Sequence, residues 1–203
     1  MAFPLAQVVT ALVVGGTIAS EAAFSPHSRR ESGPEAADRY ALAMATVSMR
    51  PARTDDAGPI ADIWWSGWQD GHLGNVPAEL VAARSAASFR ERANARVAEL
   101  TVAEVDGRVA GFVLVSGDEV EQVYVDSAHR GKGVAPVALA EAERLVASAG
   151  YDRAWLAVAT GNARARRFYE RQGWIDEGDF DYEARVETGT ITVACRRYVK
   201  TIG

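Results

Sequence analysis

Beyond residue 46 the hydrophobic and polar positions divide the chain into a succession of short elements. Val47–Arg53 reads as a strand, and Thr54-Asp55-Asp56 supplies an N-cap and acidic first turn for a helix carrying Ile60, Ile63 and Trp64. Gly67, Gly71, Gly74 and Pro77 interrupt that period. The stretch from Gly67 to Pro77 is therefore expected as an aromatic, mobile loop, followed by a second helix from Pro77 to about Ala95 around Leu80, Val81 and Phe89. Leu100–Val105 and Arg108–Val115 flank Asp106-Gly107, a two-residue turn that predicts a β-hairpin. In Glu119–Val125, strict alternation would place Glu119, Glu121, Val123 and Val125 on one face and Val120, Gln122 and Tyr124 on the other. Val134, Ala138, Ala142, Leu145, Val146 and Ala149 recur at helical spacing before a Gly150 stop. Ala154–Ala159 is apolar throughout, as in a strand covered on both faces, and strand–helix–strand implies a right-handed parallel crossover. Asn162 caps a last helix through Phe168 and Tyr169 to Gly173, and strands near Trp174–Tyr182 and Thr190–Tyr198 close the chain. The class is α/β (α+β): a mixed, twisted sheet of about six to seven strands flanked by about four helices.

The first 46 residues stand apart. Leu5–Ala19 is apolar but shorter than the ~20 residues a membrane span needs, and no Lys or Arg precedes it as in a secretory leader. Residues 21–45 mix Ser, Pro, Glu and Arg without period, as a flexible linker does. The expected organisation is an extension over 1–46, disordered or lying upstream of a physiological start at Met44 or Met49, and one domain over 47–203. A formal charge of −5 gives no field to attract nucleic acid, so neither nucleic acid nor membrane is expected as a partner. The single Cys195 excludes an intrachain disulfide and a cysteine zinc site. A reducing, cytoplasmic compartment fits. Cys195 itself, without a local His or Asp, reads as a buried thiol and not a nucleophile.

Chemistry concentrates between the Glu119–Val125 strand and the helix after it. In Asp126–Ala135 (DSAHRGKGVA), Gly131 and Gly133 let consecutive N–H groups face one point in front of a helix N-terminus, which suits a pyrophosphate. No Lys-Ser/Thr follows as in a Walker A loop, and the third glycine of the dinucleotide fingerprint is missing, which disfavours ATP and NAD.

The segment YVDSAHRGKGVA resembles the signature of the GNAT superfamily of N-acetyltransferases, Gln/Arg-x-x-Gly-x-Gly/Ala, matched by Arg130, Gly133 and Ala135. NARARRFYERQGW, from Asn162 to Trp174, is similar to that family's Asn-x-x-Ala/Ser-x-x-Phe/Leu-Tyr-x-x-x-Gly-Phe/Trp helix and stands in the same order. The resemblance covers roughly Val47–Tyr198. It implies the GNAT fold, with acyl-coenzyme A between two parallel strands that splay apart. By residue, it implies pyrophosphate contacts from the N–H groups of Gly131, Lys132, Gly133, Val134 and Ala135, and pantetheine contacts to the backbone of Val123, Tyr124 and Val125. Arg130 is a phosphate partner or a solvated loop arginine, and Asn162 a cofactor contact, an N-cap or both. Pro136, which has no N–H, departs from the family's usual small polar residue.

Direct acetyl transfer needs a neutral amine, a polarised carbonyl and a proton for the departing thiolate. The resemblance implies Tyr169 as the acid, on the helix face it shares with Asn162, and a glutamate of the preceding strand as the base, Glu121 narrowly ahead of Glu119. It also implies that Trp64–Pro77 closes over the acceptor, with Trp65, Trp68, Asp70 and His72 as candidates; His72 is equally readable as structural. The expected cosubstrate is acetyl-coenzyme A, no metal is implied, and the acceptor is a small-molecule or peptide amine, with nearby acids leaning towards a cationic one. The state expected is a monomer or homodimer. A non-catalytic acyl-coenzyme A sensor is the alternative.

Overall fold

The computed structural model describes residues 46–203, so the expected extension, Thr46 apart, and the proposed start at Met44 lie outside the described residues. One seven-stranded sheet is formed by β1 (Ser48–Pro51), β2 (Leu100–Val105), β3 (Arg108–Ser116), β4 (Glu119–Val125), β5 (Arg153–Ala159), β6 (Ile175–Val186) and β7 (Gly189–Thr201). Its order is β1-β2-β3-β4-β5-β7-β6, and every neighbouring pair is antiparallel except β4–β5. The helices are α1 (Ala57–His72), α2 (Ala78–Ala82), α3 (Ala86–Arg96), α4 (Val134–Ser148) and α5 (Ala163–Arg171). Among the described residues no helix is long and apolar enough to cross a membrane.

The sheet separates two cores. On one face α1 and α3 bury Ile60, Trp64, Trp68 and Phe89 against Phe112, Tyr124, Tyr182 and Val193. On the other, α4 and α5 bury Leu139, Val146, Phe168 and Tyr169 against Val123, Val125, Leu156, Val158 and Tyr198. Both faces of β4 and β5 are thus covered, which is why Ala154–Ala159 runs apolar without a solvent side, and why the Glu119, Glu121 and Gln122 side chains of β4 are buried.

The predicted hairpin is present, Val105 facing Arg108 across Asp106-Gly107. Three details differ from the sequence reading. First, α1 does not stop at Gly67 but runs through Gly71 to His72. Gly67 is there for close approach: a Cβ at this position would overlap the Tyr124 ring, itself clamped by Trp64 and Phe112. Second, the single helix expected from Pro77 to Ala95 is two, because Ser85 restarts it with a reciprocal cap. The Ser88 N–H donates to Ser85 Oγ at 3.2 Å and the Ser85 N–H to Ser88 Oγ at 3.0 Å. Third, alternation along β4 is broken. Leu114 pairs with Gln122 and Val115 with Val120, leaving Glu121 as an extra, bulged residue. Val123 and Val125 consequently join Val120 in the α4 core, Tyr124 joins the α1 core, and Glu121 turns to α3, where Arg96 holds it.

The tight α1–β4 contact has a measurable consequence. Gly67→Ala should lower the unfolding free energy in urea by about 1–3 kcal/mol, an overpacking cost that outweighs the helix-propensity gain. Gly58→Ala, on the same helix but with nothing near its Cβ, should leave stability equal or raise it by up to about 1 kcal/mol. Equal effects at both positions would show that Gly67 is not a packing constraint.

Candidate active site

The parallel pair β4–β5 begins and ends at one register position, Glu119 opposite Trp155, secured by the Trp155 N–H donating to the Asp118 carbonyl at 3.0 Å. From there β5 stays with β7 over its whole length while β4 stays with β3, so the two strands diverge towards their C-terminal ends. The bulge at Glu121, just past the shared position, adds the local twist that drives them apart.

At the wide end lie the glycine loop and the start of α5. Gly131 and Gly133 adopt φ of 75° and 81°, a left-handed backbone that glycine alone adopts without strain, and a Cβ at either would project into open space. Gly133 is the N-cap of α4 and contributes no side-chain cap. Helix geometry leaves the N–H groups of Val134 and Ala135 without intrahelical acceptors, while Lys132 spends its N–H on a long turn bond to His129 at 3.4 Å. The loop borders a cleft of about 240 Å³ whose walls include Val125, Arg130, Phe168 and Arg171. Arg130, in its wall, pairs with Asp70 at 2.8 Å, with its Nε and Nη2 unpartnered among the described residues. Arg164, on α5, is lowered from the usual arginine range by burial and by the charge of Arg130.

Asn162 caps α5, its Oδ1 accepting from the Ala165 N–H at 3.1 Å, while its Nδ2 has no partner among the described residues. Tyr169 is wholly buried among Phe168, Trp174 and Tyr198, and its hydroxyl likewise finds no partner there. Burial, and then Tyr124, push that phenol well above its ordinary value, so it keeps its proton throughout the neutral range.

The two strand carboxylates are both buried but differ in surroundings. Glu121 receives two bonds from Arg96, at 2.5 and 3.1 Å. Glu119 accepts from the Tyr182 hydroxyl at 3.1 Å, and burial, reinforced by Glu121, raises its pKa to about 7. Glu119 therefore changes protonation state near neutrality, while Glu121 is held by Arg96.

Of the four residues expected around the acceptor, α1 brings Trp65, Trp68 and His72 into one stack, the Trp68 and His72 ring centroids 5.1 Å apart, and leaves Asp70 outside it. Trp68 is fully buried against Phe89, and Trp65 is half-buried and stacked on Trp68. His72 is buried with its Nδ1 3.0 Å from the Trp68 carbonyl oxygen, which fixes the proton on Nδ1. Asp70 faces the glycine loop through Arg130. Of Trp64 and Trp65, Trp64 is the one buried in the core, as helical geometry requires of one of them. Cys195 is buried, and burial with Asp181 pushes its thiol up to about 12, far from a thiolate at neutral pH. Sequence reasoning missed Arg164 although it lies inside the Asn162–Trp174 motif; it missed Arg96 and Tyr182 because nothing local marks them.

Residues 59–174 match the acetyltransferase (GNAT) family, and the chain belongs to it. An uncharacterized N-acetyltransferase of Mycobacterium tuberculosis is 32% identical over 99 residues, a match covering 46% of this chain and 64% of the relative, so the chain spans somewhat under two thirds of that relative's length. Among solved structures, a GCN5-related N-acetyltransferase from Rhodopseudomonas palustris superposes with a TM-score of 0.63 at 20% identity, covering 78% of this chain and 97% of that one. A PaiA N-acetyltransferase from Thermoplasma acidophilum, solved in complex with coenzyme A, gives a TM-score of 0.62 at 16% identity over 77% and 99%. The fold is that of the family, including the splayed parallel pair expected from the sequence.

Glu119 links this site to stability. An unfolded glutamate releases its proton near 4.5, the folded one near 7, so its contribution to stability is present at low pH and is lost as the pH rises through that window. Glu119→Gln, which retains an acceptor for Tyr182, should therefore melt higher than the parent protein at pH 8, and the difference should shrink towards pH 5. Parallel melting curves at both pH values would contradict the raised pKa.

Proposed function

We propose that the protein is an acetyl-coenzyme A-dependent N-acetyltransferase that moves an acetyl group directly onto a primary amine of a small molecule or peptide. The observation that carries this reading is the parting of β4 from β5 after Glu119–Trp155, with Glu119 at the hinge, the Gly131–Gly133 loop at the wide end and Tyr169 on α5, the helix that follows β5. The donors left over support it: Asn162 Nδ2, Tyr169 Oη and two nitrogens of Arg130 are buried without partners among the described residues. The coenzyme A bound by the Thermoplasma acidophilum neighbour supports the choice of cosubstrate.

The N–H groups of Gly131, Gly133, Val134 and Ala135 hold pyrophosphate at the positive end of α4, with Lys132, Arg130 and Arg164 adding charge. The backbone of Val123, Tyr124 and Val125 lies alongside pantetheine. The cosubstrate supplies the thioester. Glu119 removes the amine proton, the nitrogen bonds to the acyl carbon as the carbon–sulfur bond breaks, and Tyr169 protonates the departing sulfur. Glu121 is a positioning residue, held by Arg96 where its charge raises Glu119. This chemistry uses no metal. The reading extends to a cytoplasmic monomer or homodimer without nucleic acid or membrane partners.

The test is a thiol-release assay over a panel of primary amines. Tyr169→Phe should lower kcat roughly 10–100-fold, at the modest end of general acid catalysis because a thiolate is a fair leaving group, with coenzyme A affinity unchanged. In the parent protein kcat/KM should rise with pH through a limb near 7, where Glu119 loses its proton, and Glu119→Gln should abolish that limb and cost about 10²-fold. Superimposable profiles would remove both residues from the mechanism. Tight coenzyme A binding without turnover on any amine would instead favour a sensor.

A further inference from the structure

Next to this site are two arginines that the transfer chemistry does not use. Arg84, in the turn between α2 and α3, is only 4% exposed. Its Nη2 donates to the Arg185 carbonyl on β6 at 2.6 Å, and its Nε has no partner among the described residues. Arg92, on α3, has a buried Nη1 that is likewise unpartnered there. Arg50, Arg96, Arg130 and Arg196 each hold a carboxylate within 4 Å. Among the described residues no carboxylate lies that close to Arg84 or Arg92.

Both adjoin groups already placed at the site. Arg84 is bonded to β6 at Arg185, three residues from Tyr182, whose hydroxyl donates to Glu119. Arg92 stands one helical turn before Arg96, whose guanidinium holds Glu121 beside Glu119. Burial and the charge of Arg92 pull Arg84 down to about 9, and burial and Arg96 pull Arg92 down as well. A guanidinium keeps its proton, so among the described residues Arg84 Nε and Arg92 Nη1 are buried cationic N–H groups with no acceptor.

We infer that the acceptor amine carries a carboxylate, bound between Arg84 and Arg92, so that the substrate class is an amino acid or a peptide with a free C-terminus. The inference rests on the transferase reading and reverses the lean towards a cationic acceptor. Planar oxygens match guanidinium N–H groups in number and direction. A monoanion also fits the balance of charge: Glu187 and Glu91 offset part of the Arg92 charge without approaching it, and Glu119 and Glu121 nearby would repel a dianionic phosphate.

The experiment compares amino acids and dipeptides with their C-terminal amides, by thiol release and by calorimetry in the presence of coenzyme A. The acids should show at least tenfold higher kcat/KM and tighter binding than their amides, mostly through KM. Arg84→Gln should erase the difference between acid and amide without weakening coenzyme A binding, and Arg84→Lys should restore part of it. Amides accepted as readily as acids would overturn the inference while leaving the transferase reading intact. Loss on both acids and amides in Arg84→Gln would also overturn it, since that is what losing the bond to Arg185 alone would produce. Acids that bind selectively through Arg84 without being acetylated would uphold the carboxylate site and sink the transferase reading. Absence of both selective binding and turnover would overturn the two together.

Discussion

The active site depends on the release of β4 from β5 after a single shared position. An ordinary parallel pair would continue its ladder, and the sheet would close over the space that the site occupies. Here β5 gives its full length to β7 and β4 gives its own to β3, with Glu119 and Trp155 as the hinge of the divergence. The bulge at Glu121 serves two ends at once. It supplies the twist that separates the strands, and it turns a carboxylate towards α3 that strict alternation would have aligned with Val123 and Val125 on the α4 side.

That turned carboxylate sets the electrostatics. Two buried acids sharing one strand are tolerable because Arg96 holds Glu121, and because Glu119 moves its pKa upward instead of carrying an unrelieved charge. The site thus contains a carboxyl group that changes state near neutrality and a phenol that does not. Across the divide, Arg130, Lys132 and Arg164 gather around a glycine loop with unspent N–H groups, while Arg84 and Arg92 concentrate a second positive charge towards α3. Two separate cationic regions suit the proposed reaction, in which an anionic cosubstrate and an acidic acceptor are seated at different ends.

What the sequence made legible was local. Asp106-Gly107 specifies its hairpin by turn chemistry, the Gly131–Gly133 loop follows from positive φ ahead of a helix, and Asn162 announces α5 through its cap. Features set by contacts between distant segments escaped it. Gly67 looks like a helix breaker until the Tyr124 ring is seen packed against it, and Glu121 looks equivalent to Glu119 until the register of β3 exposes the bulge. Trp68 and Asp70 have the composition of a substrate loop, yet the continuation of α1 buries one and pairs the other with Arg130. No spacing rule relates Arg84 or Arg96 to β4, because tertiary packing alone brings them there.

Amide hydrogen exchange with and without coenzyme A tests most directly whether the strand divergence and its loop form the cosubstrate site. Added coenzyme A should slow exchange at Gly131, Gly133, Val134 and Ala135 and along Val123–Val125, with little change in β1 or at the outer edge of β6. Unchanged exchange in the loop and β4, or protection confined to other elements, would contradict this placement.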